Sequence, residues 1–174
     1  HRDPSANNLL YHNNGNSNNW IKVRLVGTVS NRAAIGAKVK VKATIRGRSV
    51  SQLREISCSD RGDVNGLVAH FGLGDAAIAE TIRVEWPSGA VQEFQQVQAK
   101  QLLTLVEPPR LQMSGQNFQV KGGRYLQYPI ESSSNLVNWT SLTAVTVTNS
   151  NGTAQFTDPD SANFPHRFYR AVSP

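Results

Sequence analysis

Five basic side chains and three tryptophans are the residues of this sequence best suited to hold a ligand. Lys22 and Arg24 alternate with apolar residues in NWIKVRLV, and Lys38, Lys40 and Lys42 do so in KVKVKATI. In an extended chain, residues two apart point the same way. The five are therefore read as lining one exposed sheet face. Such a face would attract sulfate, uronate or phosphate groups. Lysine on a strand also serves to prevent edge-to-edge pairing, and no aromatic interleaving is read among these lysines, as a nucleic-acid platform requires. Trp20, Trp86 and Trp139 carry rings that could stack on sugars. Trp86 shares a face with Ile82 and Val84 and reads as core. Trp139, near the turn after Val137-Asn138, stands as a contact candidate.

Catalytic constellations are absent from the sequence. There is no H-E-x-x-H and no G-x-S-x-G. His1, His12, His70 and His166 are isolated, and His70 within HFGLG reads as a structural residue at a strand end. Aspartates and glutamates are scattered, and a glycosidase pair is a matter of spatial separation rather than spacing. Gly72-Leu73-Gly74-Asp75-Ala76-Ala77 fits the loose G-x-G-x-x-A pattern, but too few residues follow for the helix that a pyrophosphate needs. Asp60, Asp63 and Asn65 crowd one loop with Gly66, yet Arg61 stands where a standard calcium loop would need an acid. Calcium is expected to be dispensable. Arg61-Gly62-Asp63 spells an integrin-binding tripeptide, which three residues do by chance. The expectation is no enzymatic activity, no cofactor and no metal.

Length and composition set the outer bounds. The chain has 174 residues, room for one ordinary domain or two small ones. Hydrophobic residues make up 39%, enough for a globular chain. No apolar run approaches the roughly 18–20 residues that span a bilayer. The net charge of +6 is split among strands and serves solubility as much as an anionic partner. The lone Cys58 cannot form an internal disulfide and reads as a small buried or loop thiol. The sequence opens on His1, which suggests a processed form or a fragment.

Period-two patterning predicts the elements that carry these residues. Strands are expected over Trp20–Gly27, Gly36–Arg46, Val50–Ser57, Thr81–Trp86, Val91–Phe94 and Leu102–Val106. Only Asp75–Glu80 and Val97–Gln101 could form a helical turn. The Asn-rich segment 1–18 reads as the end of an upstream unit, with a short strand at Leu9–His12. Glu107-Pro108-Pro109 is the best boundary, since proline cannot donate to a ladder. Beyond it, strands are expected at Asn117–Val120, Tyr125–Glu131, Ala144–Thr148, Ala154–Thr157 and Arg167–Val172, with Asn151-Gly152 as a hairpin turn. The fold class is all-β, two small sandwich- or barrel-like domains.

A string of short motifs resembles the ASPIC/UnbV module. They are Asn19-Trp20, Val23-Arg24-Leu25-Val26-Gly27, Ser30-Asn31-Arg32, Ile35-Gly36-Ala37 with Val39 and Val41, Arg54-Glu55, His70-Phe71-Gly72-Leu73-Gly74 and Val84-Glu85-Trp86-Pro87-Ser88-Gly89. The sequence departs from that pattern between Cys58 and Gly66, where the family tends to have a Gly-rich turn and a Ser-Gln pair. Tyr128–Thr140, Phe156-Thr157-Asp158 and Arg167–Ala171 resemble a small Ig- or fibronectin-like appendage. The divisions are then 1–18, an upstream repeat's end; 19–107, the ASPIC/UnbV-like domain; 108–115, a linker; and 116–174, the second β domain. The resemblance implies a secreted or cell-surface protein with FG-GAP/VCBS propeller repeats upstream. The expected function is a non-catalytic extracellular module for protein–protein assembly or surface adhesion, as in a filament or surface-layer subunit. The alternatives are a carbohydrate-binding module or the accessory domain of a secreted enzyme. Partners are other protein chains, self-association through Leu9, Leu10 and Tyr11 in the N-terminal strand, or surface glycan, with no nucleic acid and no membrane span.

Overall fold

The structure, a computed structural model, describes residues 14–58 and 66–173. The strand expected at Leu9–His12, with the contact candidates Leu9, Leu10 and Tyr11, lies outside the described residues. So do Asp60, Asp63 and Asn65 of the candidate calcium loop.

The protein is all-β. Alternation of apolar residues with polar or outward-facing ones builds β1 (Asn19–Val26), β2 (Lys38–Ile45), β3 (Arg48–Glu55), β4 (Val68–Gly74), β5 (Ile78–Glu85), β6 (Val91–Gln98) and β7 (Gln101–Val106). They form two sheets, β4-β1-β7 and β3-β2-β5-β6. Ile21, Val23 and Leu25 of the first sheet meet Val39, Val41, Ile82 and Val84 of the second in one buried core. β1 pairs antiparallel with β4 but parallel with β7. A parallel neighbour demands a long crossover, and here β2 to β6 together supply it.

Two turns show how the sequence directs this path. Arg46 and Gly47 both have positive φ, 50° and 71°, between the paired residues Ile45 and Arg48. That backbone matches the twist of a two-residue hairpin. Ala99 and Lys100 carry the chain from one sheet to the other. The Ala99 N–H donates to the Ala77 carbonyl (2.8 Å), and the Lys100 N–H to the Trp20 carbonyl (2.6 Å). The helical turns entertained at Asp75–Glu80 and Val97–Gln101 do not form. Ile78 and Ala79 pair with Gln98 and Val97, so ladder bonds claim both segments.

The second core is smaller. It holds Val120, Tyr128, Ile130 and Val147. Around it lie β8 (Arg110–Ser114), β9 (Asn117–Lys121), β10 (Gln127–Ser133), β11 (Thr140–Thr146), β12 (Thr153–Thr157), a 3-10 turn at Ser161–Asn163 and β13 (Phe168–Ala171). The sheets are β12-β9-β8 and β11-β10-β13. Two expectations fail here. Residues 110–114, assigned to a linker, are a strand paired with β9. Asn151-Gly152 does not close a hairpin, because β11 and β12 belong to different sheets. Asn149 instead holds the loop, its side-chain oxygen accepting from the Thr153 N–H at 2.8 Å, and the Gly122 N–H donates to the Gly152 carbonyl at 2.9 Å. A buried aspartate, Asp158, ties the loop before β13 to its end. It accepts from the Tyr169 hydroxyl at 2.9 Å and pairs with Arg167 at 3.1 Å. Burial first, then the bond to Asp158 and its charge, push the Tyr169 phenol up to about 12.

Glu107 stands where the two cores meet, and it is wholly buried. Its Oε2 accepts the backbone N–H groups of Thr28 (2.9 Å), Val29 (2.9 Å) and Ser30 (2.7 Å). Its Oε1 accepts the hydroxyls of Ser30 and Ser88. The loop can curl around it because Gly27 has no side chain: a Cβ there would lie 2.0 Å from the Asn31 carbonyl oxygen. Burial pushes the Glu107 carboxyl up, but the Ser88 and Ser30 hydroxyls and the Ser30 and Thr28 amides outweigh it and hold the pKa below the ordinary carboxylate value. A lowered folded-state pKa gives stabilisation that is complete above the unfolded pKa and lost as pH falls through the folded one. E107Q is therefore expected to destabilise the protein on the order of 3 kcal/mol at neutral pH, since it sets a donor against amides and hydroxyls that need an acceptor. The gap between wild type and variant should narrow below about pH 4. Urea unfolding at pH 7 and pH 3 reads both; a gap that is small at pH 7 or unchanged at pH 3 would contradict this account.

Candidate functional site

The strands β4, β1 and β7 bury one face and leave the other to solvent. On the open face three rows run across the sheet. His70, Lys22 and Leu102 are register partners in the first, and Val68, Arg24 and Thr104 in the second. Trp20 beside Gly72 makes the third. Lys22, Arg24, His70 and Leu102 are exposed and Trp20 is half-buried. Together Lys22, Arg24, Val68, His70 and Leu102 line a shallow depression of about 330 Å³.

The packing within this face is specific. The His70 ring meets the Trp20 ring edge-on, with centroids 6.1 Å apart at 83°. The Lys22 ammonium lies 5.5 Å from the Trp20 ring centre, within the range where a cation is attracted by the ring face. Gly72 adds no side chain beside Trp20, and a Cβ there would meet nothing within 4 Å. The three strands read NWIKVRLV, VAHFGLG and QLLTLV, without a single Asp or Glu.

The five basic candidates do not share this face. Lys38, Lys40 and Lys42 project from β2, in the other sheet, with the core between the two sets. The sequence reading merged them because alternation gives a side chain's side of its own strand, not the sheet that strand joins. Their surroundings also differ. Lys38 lies opposite Glu55 and Glu85. Lys42 pairs with Glu80 at 3.7 Å. Lys40 lies opposite Arg83, which itself pairs with Glu85 at 3.1 Å and Glu93 at 3.7 Å. The β2 face is thus a mixed-charge surface, and the β1 face a cationic one.

Among the tryptophans the structure reorders the expectation. Trp86 is core, 3% exposed, and its indole N–H donates to Gln92 at 2.8 Å. Trp139 is half-buried, with the Arg170 guanidinium 4.2 Å from its ring centre and held there by Glu131 at 2.7 Å. Trp20 is half-buried too, and it is the tryptophan that lies on the cationic face. Its neighbour on that face, His70, comes from a strand too distant in sequence for any local pattern to place it there. His70 itself sits mid-strand, facing outward, rather than at a strand end. Cys58 is exposed just after β3. Among the described residues, no three His, Cys, Asp or Glu side chains stand close enough to hold a metal ion.

Fold and surface together define an all-β chain with two cores that offers a cationic, aromatic sheet face. Residues 27–112 match the family model described as ASPIC and UnbV, so the chain carries an ASPIC/UnbV domain over that stretch. No curated protein matches the chain. The domain family is associated with extracellular proteins. No helix among the described residues is long and apolar enough to cross a membrane. The matched stretch includes His70 and Leu102 but begins after Trp20, Lys22 and Arg24.

A cationic face beside an indole has an optical consequence. Lys22 and Arg24 concentrate anions near Trp20, so K22E/R24E should lower the ratio of iodide to caesium quenching of Trp20 emission relative to wild type, whereas K38E/K40E should leave that ratio unchanged. Comparing each variant with its W20F counterpart isolates the Trp20 contribution, and a ratio that K22E/R24E leaves at the wild-type value would show that other charges set the local potential.

Proposed function

We propose that this chain is a non-catalytic, extracellular carbohydrate-binding module and that it meets its ligand through the outer face of β4-β1-β7. The observation that carries this reading is the placement of the Trp20 ring beside Lys22, Arg24 and His70 on a face that holds no carboxylate. Sugar-binding sites combine an aromatic plane, which packs against the apolar face of a pyranose ring, with polar groups that fix its orientation. A flat, open depression suits a chain laid across the sheet. It offers little enclosure from water, which a hydrolytic site needs. The alternative of protein assembly through Leu9, Leu10 and Tyr11 draws on residues outside the described structure. A tryptophan ring on a basic face is the feature that separates the two readings, and it favours glycan. The module would serve as a contact domain of a larger exported protein.

The test is a glycan array probed with the full chain and with W20A. Binding to a limited set of glycans, lost at least tenfold in W20A and retained in R170A, is expected. No bound glycan, or binding indifferent to Trp20, would overturn the proposal. A melting temperature for W20A close to that of wild type ensures that loss of binding is not loss of fold.

A further inference from the structure

We infer that the carbohydrate taken by this face is an acidic polysaccharide with one carboxylate per sugar ring, lying along β1 with a ring against Trp20 and carboxylates at Lys22 and Arg24. The inference rests on the carbohydrate reading and adds the chemical class and the direction of the ligand.

Three observations carry it. The first is charge. Among the described residues neither Lys22 nor Arg24 has an acidic partner, and their sheet contains no Asp or Glu. On β2, by contrast, the lysines stand among Glu55, Glu80 and Glu85. Two sheets of one domain thus treat their cations oppositely. Uncompensated like charges on neighbouring alternate positions repel each other, so this face is the one that gains most from an incoming anion.

The second observation is spacing. Trp20, Lys22 and Arg24 occupy alternate positions of one strand, roughly 6.8 Å apart along it. One ring platform followed by two cations in line matches an extended polymer better than a compact monosaccharide. The Arg24 guanidinium can take a carboxylate through two parallel hydrogen bonds, and the Lys22 ammonium can act as a point charge. Its present position near the indole, 5.5 Å from the ring centre, is one it can leave when a sugar takes the ring face.

The third is the mix of charge and apolar surface. Val68 and Leu102 flank the cations, and Leu102 is 45% exposed. Heavily sulfated chains and phosphate backbones concentrate more charge over the same length and draw larger basic clusters. Two cations, one ring and an apolar floor suit moderate charge density, as in a uronic-acid polymer.

The experiment is calorimetric titration of the full chain with polygalacturonate, the same polymer after carboxyl reduction, heparin and duplex DNA, each at two salt concentrations. Polygalacturonate should bind, weaken with salt, and lose at least tenfold in K22A/R24A and again in W20A. The triple variant K38A/K40A/K42A should bind as wild type does. If the carboxyl-reduced polymer binds equally well and still needs Trp20, the acidic assignment falls while the carbohydrate reading stands. If none of these polymers binds while the array shows Trp20-dependent binding of neutral glycans, the acidic assignment falls alone; if the array is also blank, both fall. Tighter binding of heparin or DNA than of polygalacturonate, or loss of binding in the β2 triple variant, would overturn the inference.

Discussion

A single buried carboxylate organises the junction on which this structure depends. Among the described residues, Glu107 has no cation within its shell. Its charge is met by three consecutive backbone N–H groups and two hydroxyls, an arrangement in which amide dipoles do the work of a counter-ion. The cost of burying an anion without such bonds would be prohibitive, so loop 27–32 has to adopt one conformation. The consequences spread in both directions. The Thr28 hydroxyl donates to the Glu107 carbonyl at 3.0 Å, and the Glu107 N–H donates to the Val26 carbonyl at 2.9 Å, which locks the end of β7 beside the end of β1. The Thr28 side chain also lies against Tyr128 of the second core, whose hydroxyl oxygen accepts from the Gly123 N–H at 2.6 Å.

That lock determines which surfaces remain free. With β7 fixed parallel to β1, the first sheet is only three strands wide and its outer face is narrow. Its row of register partners, His70, Lys22 and Leu102, crosses the whole sheet. The four-stranded sheet has neighbours on both sides of β2, and those neighbours supply the acids that neutralise its lysines. The difference in charge between the two faces is therefore a product of topology as well as composition. Moving the same KVKVKATI strand beside β4 and β7 would have left its lysines uncompensated.

Sequence reading recovered what depends on local alternation. The inward sets Ile21, Val23, Leu25 and Ala37, Val39, Val41 follow from period two alone, and all of them are buried. It failed where the answer depended on which strands become neighbours. The merging of Lys22 and Arg24 with Lys38, Lys40 and Lys42, the hairpin at Asn151-Gly152 and the linker at 110–114 are errors of that kind. Glu107 was read as part of a boundary because two prolines follow it. Its partners Thr28, Val29, Ser30 and Ser88 lie between 19 and 79 positions away, beyond any local pattern. Yet Gly27, Ser30 and Ser88 all belong to the motifs that carry the ASPIC/UnbV resemblance. Those three residues therefore mark the scaffold around the buried carboxylate, while Trp20, Arg24 and His70, which belong to the same set of motifs, lie on the outer face of β1 and β4.

This separation bears on where function can vary within such a domain. Ser30 and Ser88 hold Glu107 through their hydroxyls, so an apolar replacement of either leaves a buried carboxylate oxygen short of a donor, a penalty of about 1–3 kcal/mol, whereas Thr28 and Val29 reach its carboxylate through backbone N–H groups. Trp20, Lys22 and Arg24 carry no such constraint. Lys22 and Arg24 face solvent, Trp20 is half-buried against His70, and the family match begins only after all three. The buried carboxylate thus accounts for how the loop and strand ends are held, and the chemistry of contact is to be read from the outer face of β1, where Lys22, Arg24 and the indole ring have no acidic partner among the described residues.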